Sequence, residues 1–217
     1  MKSWPKCIIL SFLLSLWCNL VLAQEELPFW RTNHNLYKRI TQQRKVVVSV
    51  KIETEGNERK IRMLGVGAVN VPIYFAVEQV MQFEELPKVS GYFKKVVHKR
   101  DKKEVYFHIE ALGSQIRFVK TYKWGVQKPD EAQMDWFVTW GPLKGMAGHY
   151  KFRAITPVKT EVAIWASLRK LNLPLPQFLV NFTLEVIAEK TAQKMRSFME
   201  DKYRNARKVR EEYVKKR

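Results

Sequence analysis

The chain has 217 residues, of which 46% are hydrophobic and 28% are charged, and its 39 Lys and Arg residues outnumber 21 Asp and Glu residues. This is the composition of a globular protein, and it excludes an intrinsically disordered chain. The length suits one compact domain, and the formal net charge of +18 favours acidic partners.

The first 23 residues have the pattern of a secretory signal peptide. Lys2 and Lys6 precede an apolar run, and Ala23 ends the segment before a polar, acidic stretch. We therefore predict cleavage after Ala23 and secretion, either into a periplasm or as a protein peripheral on a membrane. No later segment is long and apolar enough to span a bilayer.

Both cysteines, Cys7 and Cys18, lie in this segment, so a cleaved chain has no thiol. Disulfides, cysteine nucleophiles and thiolate metal sites are then excluded. Two alternatives are an uncleaved membrane anchor and a lipoprotein anchor at Cys18. Polar residues interrupt the apolar run, which disfavours the first, and bulky Trp17 stands where the second needs a small residue.

Residues 24–43 are predicted to form an N-terminal arm, either a short helix or an irregular segment. Alternating apolar residues over 46–52, a turn at 55–57 and an extended run over 60–69 predict a β-hairpin. Pro72 precedes apolar residues at helical spacing and predicts a helix. Residues 83–87 are interpreted as a second short helical piece that ends at Pro87.

Six further runs, at 92–99, 104–111, 115–126, 133–140, 149–155 and 160–171, have hairpin spacing and predict antiparallel strands. Their alternation gives the sheet one apolar face and one polar face. An apolar face must be covered by another element. The apolar positions include Val105, Phe107, Ile109, Ile116, Phe118, Tyr122, Trp124, Met134, Trp136, Val138, Trp140, Tyr150, Phe152, Val162 and Ile164.

The cover is predicted at the C-terminus, where residues 176–203 lack glycine after the opening proline. Apolar residues recur at steps of three and four, as expected for a helix of about 40 Å that crosses the sheet. Residues 204–217 are predicted to extend it as a basic helical tail. The apolar lane of this helix contains Val180, Leu184, Ile187, Thr191, Met195 and Phe198.

Several short segments carry a resemblance to a known family. They are Val71-Pro72, Phe83-Glu84-Glu85-Leu86-Pro87, Gly148-His149-Tyr150-Lys151-Phe152 with Ile155-Thr156-Pro157, Thr160-Glu161-Val162, and Leu175-Pro176-Gln177-Phe178-Leu179-Val180-Asn181. With this order of elements, residues 44–203 resemble the START and polyketide cyclase-like (SRPBCC) lipid-transport superfamily. The chain resembles a bacterial secreted member of that superfamily. The resemblance implies an α+β helix-grip fold. In it a curved antiparallel β-sheet wraps around the long C-terminal helix, and two short helices follow the first hairpin.

The resemblance also implies a cavity between sheet and helix for a lipid or another hydrophobic ligand. The candidate ligand-binding residues are Phe107, Phe118, Lys120, Tyr122, Trp124, Trp136, Trp140, Phe152, Ile164, Leu184, Ile187, Thr191 and Met195. The alternative for each aromatic residue is solid core packing. Lys120 occupies an inward position, where it would meet a buried acid, bind an anionic headgroup or, as we expect, reach the rim.

The sequence predicts no catalytic residue, no metal site and no cofactor. It has no His-Glu-x-x-His and no Gly-x-Ser-x-Gly motif. Its four histidines are isolated, and His98, His108 and His149 are predicted on outward, solvated strand positions. Gly65-Val66-Gly67 is interpreted as a strand bend or a close backbone approach. A cyclase- or hydrolase-like enzyme is the alternative that the resemblance leaves open.

Basic residues concentrate at 38–45, 88–103 and 202–217, and these three segments favour contact with an anionic membrane surface. Nucleic acid is not expected, because the aromatic residues lie in the apolar lane and not among the basic residues. A merely solvated helix end is the alternative for the tail. We therefore expect a binding protein that shields a hydrophobic ligand. The alternative is an envelope adaptor without a cavity.

Overall fold

The structure is a computed structural model that describes residues 28–55, 58–111, 113–170 and 177–215. The predicted signal peptide, the centre of the predicted turn at Gly56 and Asn57, and the last residue of the predicted strand 160–171 lie outside the described residues. By its contacts the chain divides into two compact units, Met1–Tyr37 and Lys38–Arg217.

The first unit is described from Pro28 onward. A short helix α1, Phe29–Thr32, is followed by α2, His34–Thr41, which continues into the second unit. The side chain of Asn33 accepts a hydrogen bond from the Leu36 N–H at 3.0 Å. This N-cap satisfies one of the free donors at the start of α2, so the predicted arm is helical.

The second unit is built on one eight-stranded sheet in which every neighbouring pair is antiparallel. The strands are β1 (Val47–Glu55), β2 (Glu58–Val69), β3 (Phe93–Lys99), β4 (Glu104–Ala111), β5 (Ser114–Gln127), β6 (Glu131–Trp140), β7 (Ala147–Thr156) and β8 (Lys159–Leu168). Their order is β1-β2-β8-β7-β6-β5-β4-β3. The predicted α+β fold with a curved antiparallel sheet is confirmed.

Two helices and a 3-10 turn connect β2 to β3, as the sequence predicts. Helix α3, Ile73–Met81, follows Pro72; the turn covers Phe83–Glu85, and α4 covers Leu86–Val89. The prediction that this piece ends at Pro87 is wrong, because Pro87 lies in the first turn of α4. A proline is tolerated there since its missing N–H would have no partner within the helix.

The C-terminal helix α5 covers Gln177–Lys215 and has 39 residues. At a rise of about 1.5 Å per residue it is roughly 60 Å long, and it includes most of the predicted basic tail. It packs on β1, β2, α3 and α4. Among the described residues, no helix combines the length and the apolar composition needed to cross a bilayer.

Two acidic side chains attach α5 to the sheet. The Glu185 carboxylate accepts the Val50 N–H at 2.7 Å and so engages a backbone donor of the edge strand β1. Buried Glu200 pairs with Arg44 and accepts the Asn70 N–H at 2.9 Å. These contacts fix the first third and the middle of α5 relative to the strands.

Glycine is required where Trp136 crosses β7. A Cβ atom at Gly148 would lie 2.1 Å from the Trp165 carbonyl oxygen and 2.6 Å from Cζ2 of Trp136. Gly65 of β2 likewise lies so close to Ile164 that an added Cβ would come within 2.9 Å of its side chain. The interpretation of Gly65 as a point of close approach is therefore confirmed.

Candidate functional site

The inner face of the sheet, defined here by Phe107, Lys120, Trp136 and Phe152, carries most of the predicted ligand-binding residues. Cross-strand pairing aligns them, since Phe107 is opposite Phe118 and Tyr122 is opposite Trp136. The rings of Phe107 and Phe118 stack at 4.9 Å. Phe107, Trp136 and Phe152 are buried, whereas Phe118, Tyr122, Trp124 and Ile164 are partly buried.

Trp140 does not lie with these residues, and its predicted place in the apolar lane is wrong. Val119 pairs with Trp140 but Lys120 pairs with Val138, so a bulge shifts the alternation by one residue. Trp140 consequently shares the outer face with Val119, and it is 55% exposed.

The four predicted residues of α5 are all partly buried, but they contact different parts of the sheet. Leu184 packs on the cluster of Val50, Ile52, Ile61 and Leu168 at the β1–β2 end. Met195 packs with Met199 on the cluster that contains Phe152. The Thr191 hydroxyl lies 3.3 Å from that of Ser90, at the end of α4. Ile187 lies between these contacts.

The aromatic strip is defined here by Phe83, Phe107, Phe118, Tyr122, Trp136 and Tyr150, which come from strands β4–β7 and the turn Phe83–Glu85. One cluster unites Phe83 with Val105, Phe107 and Met134, and another unites Trp136 with Val138 and Ala166. Within the described part of the chain, neither cluster includes a side chain of α5. Among the described side chains of α5, Leu184 and the Met195–Met199 pair contact buried clusters of the sheet.

Lys120 is held in this strip by aromatic rings. Its Nζ lies 4.6 Å from the centre of the Phe83 ring, 5.2 Å from that of Phe107, 5.4 Å from that of Trp136 and 5.3 Å from that of Tyr150. The residue is only 5% exposed. The expectation that Lys120 reaches the rim is therefore wrong.

The buried acid considered for Lys120 is also not found among the described residues, and the ammonium lies over four aromatic rings instead. Burial lowers the Lys120 pKa from 10.5 to about 7, with no charged group contributing. Burial also raises the pKa of Tyr150 to about 12. Tyr150 nevertheless keeps part of its surface accessible. Aromatic faces attract a cation, but they bring no negative charge.

The four rings that surround Lys120, those of Phe83, Phe107, Trp136 and Tyr150, are called the cage below. His98 lies beside this cage, and its predicted outward position is wrong. Its side chain is 1% exposed, its Nε2 lies 2.8 Å from the Tyr122 hydroxyl, and its Nδ1 lies 3.6 Å from Glu84. Burial lowers the His98 pKa, partly opposed by Glu84. A bulge between Phe93 and Lys95 changes the alternation of β3 and turns His98 inward.

The other two strand histidines lie apart from this site. The His149 ring stacks on Trp165 at 4.7 Å, and partly buried His108 pairs with Arg117 across β4 and β5. Across the described ranges, no three His, Cys, Asp or Glu residues are grouped so as to hold a metal ion. Sequence reasoning missed Phe83, His98 and Tyr150 as neighbours of Lys120.

A second feature is a surface groove of about 650 Å³ beside the last turns of α5. It brings Arg44, from the first basic segment, next to the basic tail. The lining residues are Arg44, Asn70, Thr156, Val158, Lys159, Glu200, Tyr203, Arg204, Arg207, Lys208 and Glu211. Five of these are Lys or Arg and two are Glu, so the groove is cationic.

Solved structures with the same fold come from several bacteria. A START superfamily protein from Mycobacterium smegmatis is 14% identical, with 64% of this chain and 97% of that chain covered and a TM-score of 0.55. A STAR-related lipid transfer protein from Xanthomonas axonopodis is 12% identical, with 70% and 93% covered and a TM-score of 0.54. The Zhui aromatase/cyclase from a Streptomyces species is 12% identical, with 68% and 98% covered and a TM-score of 0.52.

These similarities show that the chain has a START-like helix-grip fold, as the sequence resemblance predicts. No protein-family model and no curated protein matches the sequence. At this level of identity the fold is shared, and the chemistry of the site depends on the residues of this chain.

Proposed function

We propose that this protein binds a lipid or a similar hydrophobic ligand between the inner face of the sheet and α5, and that it does so without catalysis. The observation that carries the proposal is the aromatic strip around Lys120. Its rings lie on the inner face of the sheet, and Phe118, Tyr122 and Tyr150 keep accessible surface. An acyl chain placed against Phe118, Tyr122 and Tyr150 would cover that surface.

The energy of binding comes from removing apolar surface of both partners from water. Burial is worth roughly 25 cal/mol for each Å² of apolar surface, and large aromatic side chains contribute much of such area. The same energy opposes release into water. Release is then favoured where a bilayer offers the ligand an equally apolar environment.

Contact with an anionic membrane is the second part of the proposal. The cationic groove and the tail of α5 together supply Arg44, Arg204, Arg207 and Lys208 on one surface. A basic residue close to an anionic bilayer contributes about 1 kcal/mol, and salt weakens this attraction. With the secretion predicted for residues 1–23, the protein would act in the periplasm or peripherally on its membrane.

Two tryptophans of β6 provide a matched pair for testing the ligand site. Trp136 is 8% exposed and faces inward, while Trp140 is 55% exposed and faces outward. We expect Trp136→Arg to weaken binding of a fluorescent fatty acid by about tenfold or more, because it buries a second cation beside Lys120. Trp140→Arg should leave the affinity unchanged.

Affinities are measured by titrating each variant with the fluorescent fatty acid, and circular dichroism confirms that both variants are folded. Equal affinity of folded Trp136→Arg and the unmodified protein would contradict the proposed location. Absence of binding to all three proteins would favour an adaptor without a cavity.

A further inference from the structure

The ammonium of Lys120 is a positive charge without a counter-charge in the described structure. It lies within 4.6 to 5.4 Å of four ring centres, and no described carboxylate pairs with it. A buried ammonium is costly unless it is paired. Rings reduce this cost by cation–π attraction, but they leave the net charge in place.

The described acid that faces His98, Glu84, is already engaged elsewhere. Glu84 lies 3.6 Å from His98 and 3.4 Å from Arg100, and its side chain is 40% exposed. His98 in turn contacts the Tyr122 hydroxyl. The polar groups beside the cage thus contact one another, and Lys120 keeps the capacity to bind an anion from outside the protein.

The cage also limits the charge that this anion can carry. It holds one ammonium, and its neighbour Tyr150 is a neutral phenol that keeps its proton. A single carboxylate would neutralise the ammonium, whereas a doubly charged phosphate would leave one negative charge buried without a partner. The surrounding rings suit an apolar chain attached to such a headgroup.

We infer that the ligand is an amphiphile with one acidic headgroup, a long-chain carboxylic acid, whose carboxylate pairs with Lys120 Nζ at the inner end of the site. This inference rests on the proposed function and adds the chemical class of the ligand. The headgroup is bound in the interior and the chain follows the aromatic strip. A neutral lipid of equal length would leave the ammonium unpaired, so the site discriminates against it.

The test compares ligands that share one chain and differ in the headgroup. Hexadecanoic acid, methyl hexadecanoate, hexadecanol and hexadecyl phosphate compete at pH 7 for a bound fluorescent probe that carries no charge. We expect the acid to bind the unmodified protein about 10 to 100 times more tightly than the ester and the alcohol, as for other charge-assisted contacts. The phosphate should bind less tightly than the acid.

Two lysines of β5 provide the matched variants. Lys120→Met should abolish the preference for the acid over the alcohol, since methionine keeps the apolar length of lysine but carries no charge. Lys123→Met, at an exposed position three residues further along the same strand, should keep the full preference. Lys120→Arg keeps the charge and should retain the preference for the acid.

The outcomes separate this inference from the proposed function. If the unmodified protein binds the ester or the alcohol as tightly as the acid, the inference is overturned while the proposed function stands. The same holds if folded Lys120→Met still prefers the acid. If neither the unmodified protein nor Lys123→Met binds the probe or any of the four competitors, the proposed function itself fails.

Discussion

Replacing Lys120 by methionine should stabilise the ligand-free protein at neutral pH. The folded chain holds the Lys120 pKa at about 7, against 10.5 for an ordinary lysine. Because the pKa is depressed, the unfolded chain binds more protons than the folded chain between these two values. This group therefore makes the free energy of unfolding rise with pH from about 7 to about 10.5, and its full penalty applies below pH 7.

The size of the effect follows from the shift. At about 1.4 kcal/mol for each pKa unit, a fall from 10.5 to about 7 corresponds to an upper limit of roughly 5 kcal/mol. Since a protein relaxes around a buried charge, we expect Lys120→Met to raise the free energy of unfolding by about 2 to 5 kcal/mol at pH 7. The unbranched methionine chain fills a similar volume and leaves no large cavity.

Urea unfolding of delipidated protein at pH 7 and pH 10, followed by tryptophan fluorescence, measures this difference. The advantage of Lys120→Met should shrink as the pH rises, because the unmodified folded protein then holds Lys120 neutral. Added fatty acid should narrow the gap at pH 7 by pairing with the ammonium of the unmodified protein. A variant that is no more stable at pH 7, or whose advantage is the same at both pH values, would show that Lys120 carries no buried charge in the folded protein.

Two other predictions concern the packing of Trp136 and the basic tail. Gly148→Ala should lower the free energy of unfolding in urea by about 1 to 3 kcal/mol, because the alanine Cβ would collide with the Trp165 carbonyl and the Trp136 ring. A variant as stable as the unmodified protein would show that the backbone can shift at this position. Removing residues 204–217 should weaken co-sedimentation of the protein with anionic vesicles at low salt and leave its co-sedimentation with neutral vesicles unchanged. Equal co-sedimentation of the truncated and the full-length chain with anionic vesicles would exclude the tail from membrane contact.

The fold could be predicted from the sequence because period-two alternation is a local signal. It gave the right face to Phe107, Phe118, Trp136 and Phe152, and the glycine-free C-terminal stretch predicted α5. The observed boundaries of the strands and helices differ from the predicted ones by a few residues, because the ends depend on tertiary contacts that alternation does not report.

The errors occur where one extra residue changes the alternation. His98 follows a bulge in β3, and Trp140 lies beside a bulge between β5 and β6. A bulge has no reliable sequence signal in a strand of apolar and charged residues. Simple alternation therefore predicts the wrong face of the sheet for both side chains. A mismatch of this kind is expected wherever a bulge re-aims a side chain.

The rings of the cage around Lys120 could not be predicted from the sequence, for a different reason. Phe83 comes from the turn between α3 and α4, far along the chain from β5, and Tyr150 comes from β7. Their meeting depends on how the turn packs over the sheet. The sequence could show only that Lys120 occupies an inward position, which is why a rim location was expected.

Native mass spectrometry of the full chain, expressed with its N-terminal segment and purified without detergent, shows directly whether the protein carries a ligand. We expect a bound amphiphile of defined mass that is released on collisional activation and identified as a long-chain carboxylic acid. The same spectrum reports whether the chain is cleaved after Ala23. Recovery of ligand-free protein alone, with no uptake after incubation with hexadecanoic acid, would exclude the proposed binding of a long-chain carboxylic acid.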